Sequence, residues 1–74
     1  MGRLLNNLRR GSSAHTVEMG GDGFTILRRT GEAEMFDRLA REVLNGAGDD
    51  YVAFPTADRY DPMSYERVFI IPIE

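Results

Sequence analysis

The chain has 74 residues, close to the lower size at which a hydrophobic core sustains a fold alone, and it has no cysteine, so disulfide staples and thiolate metal sites are excluded. At 42% hydrophobic and 28% charged residues the composition is that of a globular domain, and a single histidine excludes His-rich metal constellations. The net charge of −3 is uneven: residues 1 to 10 hold Arg3, Arg9 and Arg10 and no acid, whereas the rest holds six Arg against twelve Asp and Glu, a formal −6 that disfavours nucleic acid as a partner of the body.

The first element is a basic leader over residues 1–11. Leu4, Leu5 and Leu8 form a short apolar face if residues 3 to 10 are helical, and two turns need a surface to lie on. Its apolar content is too short for a signal peptide, and Asn6 stands where acylation at Gly2 requires Ser or Thr. No apolar run approaches the roughly 20 residues of a membrane span, so the chain is read as cytoplasmic with no membrane partner. Arg3, Arg9 and Arg10 are the candidate phosphate contacts. All nine basic residues are Arg, which coding bias explains more simply than selection for bidentate binding. Gly11-Ser12-Ser13 reads as a flexible joint, and residues 14–74 as a single domain.

A hairpin follows: His15 to Met19 alternates, "GGDG" turns the chain, and Phe24 to Arg29 runs back. Val17, Met19, Phe24 and Ile26 share one face, with Thr16, Glu18, Thr25 and Arg29 opposite. The glycines do not make a P-loop, since neither its lysine nor its hydroxyl follows.

A long helix is expected over about 31–45, capped by Thr30, with Glu32 and Glu34 in its first turn. Phe36, Leu39, Ala40, Val43 and Leu44 make its apolar stripe. Glu34–Arg38 and Asp37–Arg41 are i,i+4 pairs on a solvated face, and Asn45-Gly46 stops the helix.

Two strands complete the chain: Tyr51 to Phe54, ended by Pro55, and Arg67 to Ile73. Pro72 cannot donate to a ladder and belongs where its strand edge faces solvent. The order ββαββ behind a short N-terminal helix implies an α+β fold, a mostly antiparallel sheet with the long helix across one face. In the C-terminal half both sheet faces are apolar: Phe69, Ile71 and Ile73, taken as core, point one way, and Val68 and Ile70 the other. One long helix cannot cover both, so the leader helix, a second copy of the chain or a foreign partner is expected on the second face, the homodimer being slightly favoured over the docked leader.

The connection from Thr56 to Glu66 is long for a compact domain, and such loops often carry function. As a metal site, Asp58, Asp61 and Glu66 lack calcium-loop spacing and its central glycine. As an enzyme, the chain offers His15 as a base or Asp58 and Asp61 as paired carboxylates, with no nucleophile in a recognisable context. A lone His at a strand start and two Asp in a turn are more simply structural. No catalytic residue, metal or cofactor is assigned. Protein recognition suits the segment 56–67 better, because Tyr and Arg dominate interface hot spots. Arg59, Tyr60, Asp61, Met63, Tyr65 and Arg67 are the candidate partner contacts. One tyrosine of the loop is free to anchor it on its own sheet while the other recognises.

No motif assigns the chain to a family residue by residue. Small size, no cysteine, mild acidity and no catalytic signature are common together among phage or mobile-element proteins that inhibit a host complex, anti-CRISPR proteins among them, and many other bacterial proteins share them. The chain is therefore read as a non-catalytic protein-binding module acting through the 56–67 loop and an apolar sheet face. The alternatives are a nucleic-acid-associated accessory protein using the basic arm, and a small enzyme subunit completed by oligomerisation.

Overall fold

The structure, a computed structural model, describes residues 3–73. The elements run α1 (Arg3–Arg10), β1 (His15–Gly20), β2 (Gly23–Arg28), α2 (Ala33–Gly46), β3 (Tyr51–Ala57) and β4 (Tyr65–Pro72). The four strands form one antiparallel sheet in the order β1-β2-β4-β3. This is the α+β arrangement expected, with the hairpins β1–β2 and β3–β4 side by side.

Alternation along each strand sorts the side chains into two faces. The register sets Val17 opposite Ile26, Ile26 opposite Val68, and Phe24 opposite Ile70, which in turn faces Ala53. On this face Phe24, Ile26, Val68, Ile70 and Tyr51 are buried beneath Phe36, Ala40 and Val43 of α2 and Leu5 and Leu8 of α1. Each large apolar side chain so buried contributes about 1.5–3 kcal/mol before conformational entropy is set against it.

Both helices therefore lie on the same face. α1 packs over β1 and β2, and α2 over β4 and β3. The expectation that the leader would cover the second face is corrected: its leucines complete the first core. The two hairpins make a sheet too wide for one 14-residue helix to span, and α1 fills the remainder. Phe69, Ile71 and Ile73, expected in the core, are not there. Val68 and Ile70 are buried instead, and Ile73 lies exposed just past β4.

Local chemistry explains the other differences. Thr30 does not cap α2: Gly31 has φ 83° and the Glu32 N–H donates to Arg29 O at 3.1 Å, so residues 29–32 make a glycine turn of type II character. The helix starts only after it, with Glu32 at the N-cap position. At the other end the Tyr51 hydroxyl donates to Val43 O at 2.6 Å, satisfying one of the last helical carbonyls. Gly46 leaves room for it, since a Cβ there meets that hydroxyl at 2.9 Å. Burial, and then Glu42 and Asp50, push the Tyr51 phenol above its usual range. Arg29 falls outside β2, and Leu27 takes the alternate face there.

Both prolines sit differently from the sequence expectation. Pro55 does not end β3 but lies within it, opposite Val68, on the outer edge of the sheet where a missing N–H costs nothing. Pro72 belongs to an interior strand, not an edge. Because the Ile73 N–H bonds Asp50 O, position 72 turns toward β2, whose last pairing is Phe24 with Ile70; the proline lies beyond it.

The segment Gly11-Ser12-Ser13 is a bonded joint. His15 is 2% exposed, its Nε2 donating to Leu8 O at 2.9 Å while Nδ1 lies 2.7 Å from Ser12 Oγ, which requires the Nε2–H form if the ring is neutral. The ring caps the C-terminus of α1 and fixes that helix to the sheet. Both of its nitrogens serve the fold.

Candidate functional site

With β3 running to Ala57 and β4 starting at Tyr65, the connection is seven residues, 58–64, shorter than the segment read from the sequence. Thr56, Tyr65, Glu66 and Arg67 belong to strands, with a register shift between Thr56 and Ala57. Two aspartates organise the loop. Asp58 Oδ1 accepts the N–H groups of Tyr60 (2.7 Å) and Asp61 (3.2 Å); Asp61 accepts the Met63 N–H and the Ser64 hydroxyl, both at 3.1 Å. Backbone bonds close the base, from Asp58 N–H to Ser64 O at 2.8 Å and from Ser64 N–H to Asp61 O at 2.9 Å. Carboxylates that replace a turn's backbone acceptors are the reason Asp is favoured at such positions.

Two groups from elsewhere in the chain hold this unit in place. Arg28, at the end of β2, donates to Asp58 Oδ2 at 2.5 Å and to Tyr65 O at 3.3 Å. Asp37 of α2 accepts the Tyr65 N–H at 2.9 Å. Asp37 was expected to pair with Arg41; its carboxylate instead ties the helix to β4, while the Glu34–Arg38 pair forms at 3.4 Å on the exposed side. Neither tie carries a local sequence signal, since each joins residues about thirty positions apart.

The Arg28 hydrogen bond, and next the Tyr60 N–H, hold the Asp58 carboxyl below the usual carboxylate range. A depressed folded-state pKa contributes stability that is present above the unfolded value of about 3.9 and lost as pH falls through the folded one. Melting temperatures of wild type and Asp58→Asn measured from pH 7 to pH 2 are expected to converge at the acid end. A constant difference across that range assigns the stabilisation to groups other than this carboxylate.

The loop tip has the opposite character. Tyr60 is 88% exposed and Met63 80%, and Arg59 is exposed beside them. A cleft lined by Arg28, Asp58, Arg59, Tyr60 and Glu66 opens next to the Tyr60 ring. Of the six candidate contacts, Arg59, Tyr60 and Met63 are brought together at the tip. Asp61 is exposed but spends its carboxylate on the loop itself. Tyr65 packs half-buried against the core, so it is the anchoring tyrosine and not a free contact. Arg67 stands on the second sheet face, 3.3 Å from Glu66. In the arm, the Arg9 guanidinium lies 5.2 Å from the centre of the Phe24 ring and Arg10 is exposed; the Arg3 side chain lies outside the described part. Among the described residues no three or more His, Asp or Glu side chains converge as metal ligands. No described helix is long and apolar enough to cross a membrane.

The second face of the sheet was legible only in part. Thr16, Glu18, Thr25, Leu27, Arg67, Phe69, Ile71, Val52, Phe54 and Thr56 share it by register, and none of them is buried. Phe54 and Phe69 stack with ring centres 6.4 Å apart, and Phe54 is 53% exposed. No family model, curated protein or solved structure matches the chain significantly.

Proposed function

We propose that this protein is a non-catalytic protein-binding module, a small cytoplasmic inhibitor in kind, that recognises its partner through the tip of the 58–64 loop. The observation that supports it is the pairing of a fixed base with an exposed tip. Asp58, Asp61, Arg28 and Asp37 hold the backbone, while Arg59, Tyr60 and Met63 gain nothing for the fold from their exposure. A loop ordered before binding lowers the entropy cost of association. Tyrosine then supplies a large, amphipathic contact with few rotatable bonds, and the adjoining cleft receives a partner side chain.

Tyr60→Ala and Arg59→Ala are expected to leave stability within about 0.5 kcal/mol, as surface changes do. Affinity for a partner captured by the wild-type protein is expected to fall by about 2 kcal/mol or more, roughly thirtyfold. Thermal melts and titration of the purified partner measure the two effects together. Unchanged affinity in both variants removes the loop tip as the recognition element.

A further inference from the structure

We infer that the outer edge of β1 is a docking site for an extended segment of another protein, one that carries Lys or Arg opposite Glu18. This edge is apart from the loop tip and does not depend on recognition there. β1 and β3 are the two edges of the sheet, and register decides which backbone groups each presents. The Arg29 N–H donates to Ala14 O at 3.1 Å, so Thr16, Glu18 and Gly20, in step with Ala14, bond to β2. His15, Val17 and Met19 therefore turn their N–H and C=O groups outward. The Ser12 N–H takes the His15 carbonyl at 3.0 Å. Among the described residues nothing bonds the N–H and C=O groups of Val17 and Met19.

The other edge is closed to such pairing. In β3 the Ile73 N–H bonds Asp50 O, which turns Tyr51, Ala53 and Pro55 outward. Pro55 has no N–H to offer, and the Tyr51 carbonyl accepts the Gly48 N–H at 3.0 Å. β1 carries neither a proline nor a register shift, the usual devices that blunt an edge.

Glu18 selects the occupant. It is exposed on the open sheet face between Val17 and Met19, and no ion pair among the described residues uses it. A second copy docking antiparallel satisfies all the free groups of Val17 and Met19, with the Ser12–His15 bond intact, only by setting Glu18 against Glu18. Like charges directly opposite destabilise a strand pair. The net charge of −3 on each copy adds to that repulsion. A base at the same place makes a cross-strand ion pair instead. On the helix side Val17 packs half-buried against the core and Met19 is 68% exposed, so the residues set opposite them are apolar. The segment recognised reads apolar, basic, apolar in extended form. Main-chain bonds supply its affinity and alternate side chains its selectivity.

The probe is the acetylated, amidated peptide Thr-Thr-Val-Lys-Val-Thr-Thr, titrated into the full chain and followed by amide NMR. The Val17 and Met19 amides are expected to shift and to exchange more slowly at saturation. Those of Thr16 and Glu18, already bonded to β2, are expected to exchange as before. Replacing the peptide's lysine by glutamate is expected to weaken binding about fivefold, and Glu18→Lys to reverse that preference. Met19→Pro removes one outward N–H at an edge position and is expected to abolish binding while circular dichroism shows the fold retained. If the proline variant unfolds, Glu18→Lys decides alone. No shift at Val17 and Met19 overturns the inference, as does a charge preference that Glu18→Lys leaves unreversed. Protection of these amides that rises with protein concentration, without peptide, assigns the edge to a second copy and overturns it too. Peptide-induced shifts confined to Tyr60 and Met63 overturn it in favour of the loop tip.

Discussion

Replacing Ile70 by alanine is expected to destabilise the fold by about 2–5 kcal/mol, while the same change at its neighbour Ile71 costs the monomer about 1 kcal/mol. The two residues are chemically identical and adjacent in one strand, and only the face they occupy separates them. Ile70 is fully buried and paired with Phe24 and Ala53 beneath α2, so truncation opens a cavity among side chains that cannot all collapse into it. Ile71 lies opposite Val52 on the open face, where solvent fills the vacated space. Urea denaturation at concentrations that keep the chain monomeric reads the two values directly. Equal costs at both positions overturn the assignment of faces.

That assignment shows how far the amino-acid order alone carries. The hairpin, the long helix, the two C-terminal strands and the doubly apolar character of β4 follow from periodicity and glycine placement, which are local properties. Alternation names the two sets, Val68 with Ile70 and Phe69 with Ile71, but not which set faces the helices. The choice depends on α1 joining α2 on one side, a tertiary event that the leader's three-leucine pattern does not encode. The loop divides in the same way. Its aspartates are visible as turn formers, yet their work depends on Arg28 and Asp37, which are distant in sequence and reach the loop only after β2 pairs with β4 and α2 docks. Tyr60 and Tyr65 look alike in the sequence and separate only once β4 is seen to begin at Tyr65. His15, like Asp58 and Asp61, has a simpler, structural reading that needs no tertiary knowledge to be preferred.

Gly23→Ala is expected to be more damaging than its small size suggests, at or above the upper end of the roughly 1–3 kcal/mol typical of overpacking. A Cβ at this position falls 1.9 Å from Ile70 O, 2.9 Å from the carbon of that carbonyl and 3.0 Å from the Ile71 Cα. All three are backbone atoms of β4, an interior strand held on both sides, so no side-chain rotation relieves the contact. β2 must swing away from β4 at its first residue, and that movement pulls apart the adjoining Phe24–Ile70 pair in the centre of the core. The hairpin supplies its own control. Gly20 pairs with Gly23 across the turn, has nothing within 4 Å of its would-be Cβ, and does not adopt positive φ; that role falls to Gly21, with φ 61° at the first turn position. Gly20→Ala is therefore expected to be neutral or to stabilise by a few tenths of a kcal/mol, because alanine restricts the unfolded chain more than glycine does. Paired thermal melts decide between close strand approach and mere turn flexibility as the reason for glycine at position 23. If the two variants lose stability equally, the turn itself requires both glycines and the β2–β4 contact is not the constraint. If only Gly23→Ala fails, the meeting of the two hairpins at Ile70 is what the fold cannot give up.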